Sequence, residues 1–182
     1  VSIDEDFLVV GLNDELMVFK YDETEIKFKS IDLINQDSTV YNYGKYIALD
    51  NLTLATTYTT QTYQVTLVIN ELGSNGVSNT HKIENINNDV NFGTRQSNVS
   101  AISINKSILA VALMATANEP PFIRIYKKRT EEYNSWYHYQ DIQYSEDYVN
   151  STYAIAVGIF INNDKLVAVS YTHLRAHETH ID

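Results

Sequence analysis

Three histidines crowd the end of the chain: His173, His177 and His180 lie four and three residues apart in "YTHLRAHETHID". On a helix, positions i, i+4 and i+7 share one face, so three imidazoles at this spacing could hold a zinc ion with its fourth position open to water. Acidic residues offer a second chemistry. Asp4 and Asp6 in "IDEDF", and Asn162 to Asp164 in "NNDK", place oxygen donors as a calcium loop does, but without the turn glycine and later acids that complete its shell. Asn and Asp favour tight turns through local backbone bonding, so these read first as turn residues, and no calcium is expected. His81 in "NTHKI" and His138 in "WYHYQ" lie in no nucleophile-elbow or zinc-spacing pattern and read as ordinary strand or loop residues. Glu131-Glu132 and Glu146-Asp147 fall in turn-like segments, where a solvated surface is the default. The run "YNSWYHYQ" could stack on a sugar ring, but aromatics favour pleated, half-buried strands, so packing comes first. No catalytic, cofactor-binding or metal-binding residue is assigned.

The elements that would position such residues are strands. Tyr, Thr, Ile and Val are abundant, while 2 Pro and 6 Gly punctuate the chain. Apolar residues fall in short runs, among them "FLVVGL", "YQVTLVI", "SILAVAL", "FIRIY" and "YAIAVGIFI", parted by Asn, Asp, Ser and Gly. A chain of 182 residues, 44% hydrophobic and 20% charged, can build a sizeable core. Its net charge of -10 argues against a nucleic-acid partner or an anionic membrane surface, either of which would want clustered Lys and Arg. With no cysteine there is neither a disulfide framework nor a thiolate site. No apolar run is long enough for a membrane span. The start, "VSIDEDFLVV", has neither an initiator Met nor a signal-peptide pattern, so the chain is expected to be cut there.

Internal repetition is the strongest architectural signal. "IDEDFLVVGL" from Ile3, "ALDNLTLATT" from Ala48, "INKSILAVAL" from Ile104 and "INNDKLVAVS" from Ile161 align as hairpins if the turn slips by one residue. They recur every 45 to 58 residues or so, near the spacing of propeller blades. The first three are each followed by a strand, a polar turn and another strand, which makes units of about four strands. Such a unit cannot bury both its faces alone, and stacking units side by side solves that problem in a β-propeller. Ala55, Ala110 and Ala168 are expected at one shared repeat position, where blades crowd together.

The stretch "NDVNFGTRQSNVSAISINKSILAVAL", followed by "FIRIYKKRTEEYNSWYHYQDI", resembles the FG-GAP repeat of integrin-α-like propellers. Phe92-Gly93 matches its Phe-Gly pair, and Trp136 stands where the family has a Trp before the outer strand. The Val-Gly-Ala-Pro ending is replaced by "ALMATANEPPFIRIY". The resemblance implies an all-β partial β-propeller of about three four-stranded antiparallel blades, open at both ends. Repeats lie near 1–45, 46–100 and 101–155, with a further blade beginning at 156–168. It also implies placement at a cell surface or outside the cell. The sequons at Asn51, Asn98, Asn105 and Asn150 are close to the number that chance supplies.

The histidine-rich ending resembles something else. "VSYTHLRAHET", Val169 to Thr179, is similar throughout to the conceptual translation of a transposase-type sequencing-library adapter. It interrupts the fourth hairpin in mid-strand, so 169–182 is expected to be a non-native tail on a fragment, and the zinc face an accident of base order. Open strand edges on such a fragment invite association with other chains.

The expected function is that of a non-catalytic binding module that recognises a protein or glycan through propeller loops, with no nucleic-acid partner. Two alternatives remain open. One is a propeller enzyme, glycosidase or lyase, whose catalytic residues lie outside this fragment. The other is an intracellular WD-like scaffold, against which the missing Trp-Asp and Gly-His signatures count.

Overall fold

The computed structural model describes residues 1–4, 6–12, 15–35, 39–62, 64–87, 99–113, 122–129, 135–143, 156–163, 165–170 and 176–180. They belong to two compact units, Val1–Ile86 and Asn87–Asp182. In the first unit, β1 (Ser2–Asp4), β2 (Phe7–Leu12), β3 (Glu15–Asp22) and β4 (Lys27–Asn35) form one antiparallel sheet. A second sheet joins β5 (Val40–Tyr41) and β6 (Ile47–Asp50), both paired with β7 (Thr53–Thr60), to β8 (Val65–Gly73) and β9 (Gly76–Ile83). In the second unit, a third sheet runs β10 (Val99–Asn105), β11 (Ile108–Leu113), β12 (Phe122–Lys128) and β13 (Trp136–Gln143). The fourth runs β14 (Ala156–Asn162), β15 (Lys165–Ser170) and β16 (Ala176–His180). The protein is all-β: its four-stranded meanders pair each strand with the next, as propeller blades do, and none closes into a barrel.

All four leading hairpins have the same two-residue turn, closed by Asp4 and Phe7, Asp50 and Thr53, Asn105 and Ile108, and Asn162 and Lys165. At the first turn residue, Asn51, Lys106 and Asn163 have φ of 52°, 53° and 55°, the left-handed conformation that primed hairpin turns require. Asn tolerates it best, which explains the polar turn signals. Equal turns correct the one-residue slip expected from the sequence. Ala55 and Ala110 share a register position, opposite Ala48 and Ser103, but in the fourth sheet Val167 holds that position, opposite Phe160. Ala168 sits one residue on, opposite Ile159.

Two further bonds repeat with the fold. The carbonyl of the second turn residue accepts an N–H from the third strand: Tyr21 to Asp6 at 2.7 Å, Leu72 to Leu52 at 2.7 Å, Lys128 to Ser107 at 2.8 Å. Across neighbouring sheets, the last side chain of a leading strand accepts the N–H of the next sheet's first turn residue. Asp4 takes it from Asn51, and Asn105 takes it from Asn163 at 3.2 Å. Ser103 Oγ accepts the Ile161 N–H at 3.1 Å beside that second staple. Replacing Asn105 by alanine is expected to lower the stability of the second unit by about 1 kcal/mol, and Asn105→Asp, which keeps the acceptor, by less. Urea denaturation of the two variants checks this.

Each unit has its own core. Phe7, Val9, Leu16 and Val18 of the first sheet meet Leu49, Leu54, Tyr58, Val68 and Leu72 of the second. Ala110, Ala112, Ile123 and Ile125 of the third meet Ile161, Leu166 and Ala168 of the fourth. The paired residues alternate along their strands, as a period of two demands.

Candidate functional site

The outer strands of the third sheet hold a buried cation, a carboxylate and an imidazole. Arg124 on β12 faces Asp141 on β13. Its Nε donates to Asp141 Oδ1 and its Nη2 to Oδ2, each at 2.8 Å, so guanidinium and carboxylate meet as a two-bonded fork. His138 is three residues from Asp141, a spacing that puts two side chains on opposite faces of a regular strand. A bulge removes that obstacle: Gln140 pairs with Ile125 and His138 with Tyr126, so Tyr139 is the extra residue. His138 returns to the face of Asp141, its Nε2 3.0 Å from Oδ1.

The three groups grade from core to solvent. The Arg124 side chain is 2% exposed, and that of His138 is 44% exposed. The guanidinium lies 5.2 Å from the Phe122 ring centroid, and the imidazole meets Tyr126 edge-on at 6.1 Å. Partial burial pushes the Asp141 pKa upward, but the bonds and charge of Arg124, with His138 adding to them, outweigh it and hold the carboxyl below its ordinary range. Because the carboxylate spends both oxygens on the fork, the group works as a clamp on β12 and β13 that carries the His138 imidazole on its rim.

The opposite face of the same strand pair carries cations beside aromatic rings. The Arg129 guanidinium lies 5.2 Å from the centroid of Tyr137, and the Lys127 ammonium 3.5 Å from that of Tyr139. Tyr137 is 36% exposed, while Tyr139 leans on the core and Trp136 is buried where β13 begins. The expectation that this aromatic run packs therefore describes Trp136 and Tyr139; Tyr137 remains accessible.

The other candidates disperse. Asp4 serves the turn of the neighbouring sheet, and the Asp6 carbonyl serves Tyr21. His81 is a half-buried strand residue opposite Ile69. Asn162 closes the fourth hairpin and Asn163 opens its turn, while Asp164 lies outside the described residues. Asn51 is an exposed turn residue and Asn105 a staple acceptor. Asn98, Asn150, Phe92-Gly93, Glu131-Glu132, Glu146-Asp147 and His173 all lie outside the described residues. His177 and His180 stand on β16, a strand rather than the helix that the zinc face required, opposite Ala168 and Lys165. Among the described residues, no group of three or more His, Cys, Asp or Glu could hold a metal ion. No helix among them is long and apolar enough to cross a membrane.

Arg124 is what sequence reasoning missed. Its signal was present: a single cation in the otherwise apolar "FIRIY", answered by the acid of "YQDI" in the next strand. A charge at a core-facing strand position needs a partner, and the facing strand is where to seek it. The same outer segments carry Lys127, Lys128 and Arg129, a local run of cations in an acidic protein. Neither the known protein families nor the curated proteins with which the chain was compared include a match to it.

Proposed function

We propose that the chain is a non-catalytic binding module of a cell-surface or extracellular propeller, and that it recognises a glycan or protein through its outer strands. The observation that carries this is the strip of Tyr137, Tyr139, Lys127 and Arg129 on β12 and β13, with Tyr137 open to solvent. A tyrosine on a strand offers a large contact area at small entropic cost, and a neighbouring cation selects a ligand that carries carboxylate or sulfate. The clamp on the other face stiffens the strip, since Arg124 and Asp141 tie the same two strands together. The resemblance to FG-GAP propellers, carried by Phe92-Gly93 and Trp136, supports the same reading.

The test is electrophoresis of the chain through gels containing either a soluble polyuronate or a neutral polysaccharide. The polyuronate should retard the protein selectively, and Tyr137→Ala with Arg129→Ala should weaken that retardation by about tenfold with an unchanged melting temperature. Equal mobility of the two proteins in both gels removes the glycan ligand. A photo-crosslinking residue at position 137 then tests the protein ligand: failure to cross-link a partner from a cell-surface extract would defeat the remaining half.

A further inference from the structure

We propose that Asn75 is a site of spontaneous deamidation, and that its conversion releases the β8–β9 hairpin from β4. Of the chain's asparagines, Asn75 alone precedes a glycine. Both residues of the turn, Ser74 and Asn75, are exposed. The Asn75 side chain makes no hydrogen bond to any described residue, so its amide carbon is open to attack.

Packing, and not only the turn, requires the glycine. Gly73 and Gly76 close the hairpin. Gly76 has a φ of +117°, which residues with a side chain rarely adopt, and a Cβ there would stand 2.5 Å from Asp32 Oδ2 and 2.9 Å from Asp32 Cβ and Cγ. Asp32 lies on β4 opposite Val18, so the first sheet itself fills the space beside Gly76. Its Oδ2 accepts the Val77 N–H at 3.0 Å, and its Oδ1 accepts the Leu33 N–H at 2.8 Å. Beside this latch Val77 pairs with Leu72, and both pack into the core that the two sheets share. A side chain on the residue after Asn75 would hinder ring closure there, and the latch forbids one. The contact that fastens the hairpin thus also keeps Asn75 labile.

The chemistry needs only water. The Gly76 main-chain nitrogen, its proton passed to hydroxide, bonds to Asn75 Cγ, while Asn75 Nδ2 takes a proton from water and leaves as ammonia. Water then opens the cyclic imide at one carbonyl or the other, giving aspartate or isoaspartate. Isoaspartate adds a methylene to the main chain of a two-residue turn, so Gly73 and Gly76 lose their register. Aspartate sets a second carboxylate one residue from the position that Asp32 already crowds, and the like charges repel. Both products weaken the bond from Val77 to Asp32 and loosen the outer edge of the second sheet.

The full chain is held at mildly alkaline pH, and its peptides are mapped by mass spectrometry, with isoaspartyl methyltransferase reporting the rearranged product. Conversion should appear at Asn75 before it appears at Asn51 or Asn79, exposed asparagines followed by Leu52 and Thr80. Hydrogen exchange of the Val77 amide should rise by about tenfold or more in the converted protein. Asp32→Ala, which removes the acceptor, should show that rise before conversion and gain little after it. Asn75→Gln should keep the slow exchange through the same incubation. Conversion of Asn51 or Asn79 as fast as Asn75 overturns the proposal, and so does a converted chain whose Val77 amide exchanges as slowly as before.

Discussion

Gly11→Ala is expected to destabilise the first unit by about 3 kcal/mol or more, a large fraction of the roughly 5–15 kcal/mol that holds an ordinary domain folded. Gly11 lies on β2 opposite Leu16, and a methyl group there would stand 1.9 Å from the Gly44 carbonyl oxygen and 2.9 Å from both Gly44 C and Ile47 Cδ1. Two of those atoms are backbone, so a rotamer change cannot clear them. Gly44 approaches from the other side under the same restriction. Its φ is +74°, and a Cβ there would lie 2.8 Å from the Glu15 carbonyl oxygen. Two main chains therefore meet with no side chain between them, and relief requires the loop before β6 to move away from the first sheet. Gly158→Ala is the internal control: nothing lies within 4 Å of its Cβ position, and the change should be neutral or stabilising by roughly 0.5 kcal/mol. Guanidinium denaturation of the two variants separates the cases. A Gly11→Ala protein as stable as wild type would mean that β2 and the Gly44 loop do not touch.

The sequence disclosed the hairpins because their signals are local. Asn51 and Asn163 mark left-handed turn positions, and the apolar runs beside them have strand length. From that repetition followed the all-β class and the meander topology. Register was less visible, since a one-residue error in an apolar strand changes no composition. That is how Ala168 came to be grouped with Ala55 and Ala110 although it pairs one step further along. The clamp was invisible because it depends on a bulge at Tyr139, and a bulge is set by how two strands meet rather than by either strand alone. The Gly11 and Gly44 approach joins residues from different sheets, which no local pattern marks. The spacing of His173, His177 and His180 defines a shared face only on a helix, and His177 and His180 stand on a strand. β16 pairs with β15 through main-chain groups that any sequence possesses, so its place in the fourth sheet is silent on the origin of its residues.

Asp141→Asn should cost the second unit about 3 kcal/mol near neutral pH, and that loss should shrink in acid. The Arg124 guanidinium, 2% exposed, has surrendered most of its hydration, and the fork to Asp141 compensates it with two charge-assisted bonds. An amide keeps one acceptor but no charge, so the desolvated cation loses the partner that its burial requires. The sign with pH follows from the carboxyl, whose folded pKa lies below its ordinary value. An unfolded Asp titrates near 3.9, so the stabilisation is complete above about pH 5 and is lost as pH falls through the folded value. The stability gap between wild type and Asp141→Asn should thus be widest between about pH 5 and 7 and narrow towards pH 2. The double variant Arg124→Met with Asp141→Leu removes charge and counter-charge together; it should lie within about 1 kcal/mol of wild type near neutral pH, because apolar replacement of a buried pair is often neutral or better, and, having no carboxyl to protonate, it should become the more stable of the two as pH falls towards 2. Urea midpoints at several pH values give the comparison. If Asp141→Asn were neutral at pH 7, or if the gap widened in acid, the fork would not be holding β12 to β13, and the rigidity that the tyrosine strip relies on would have to come from its packing alone.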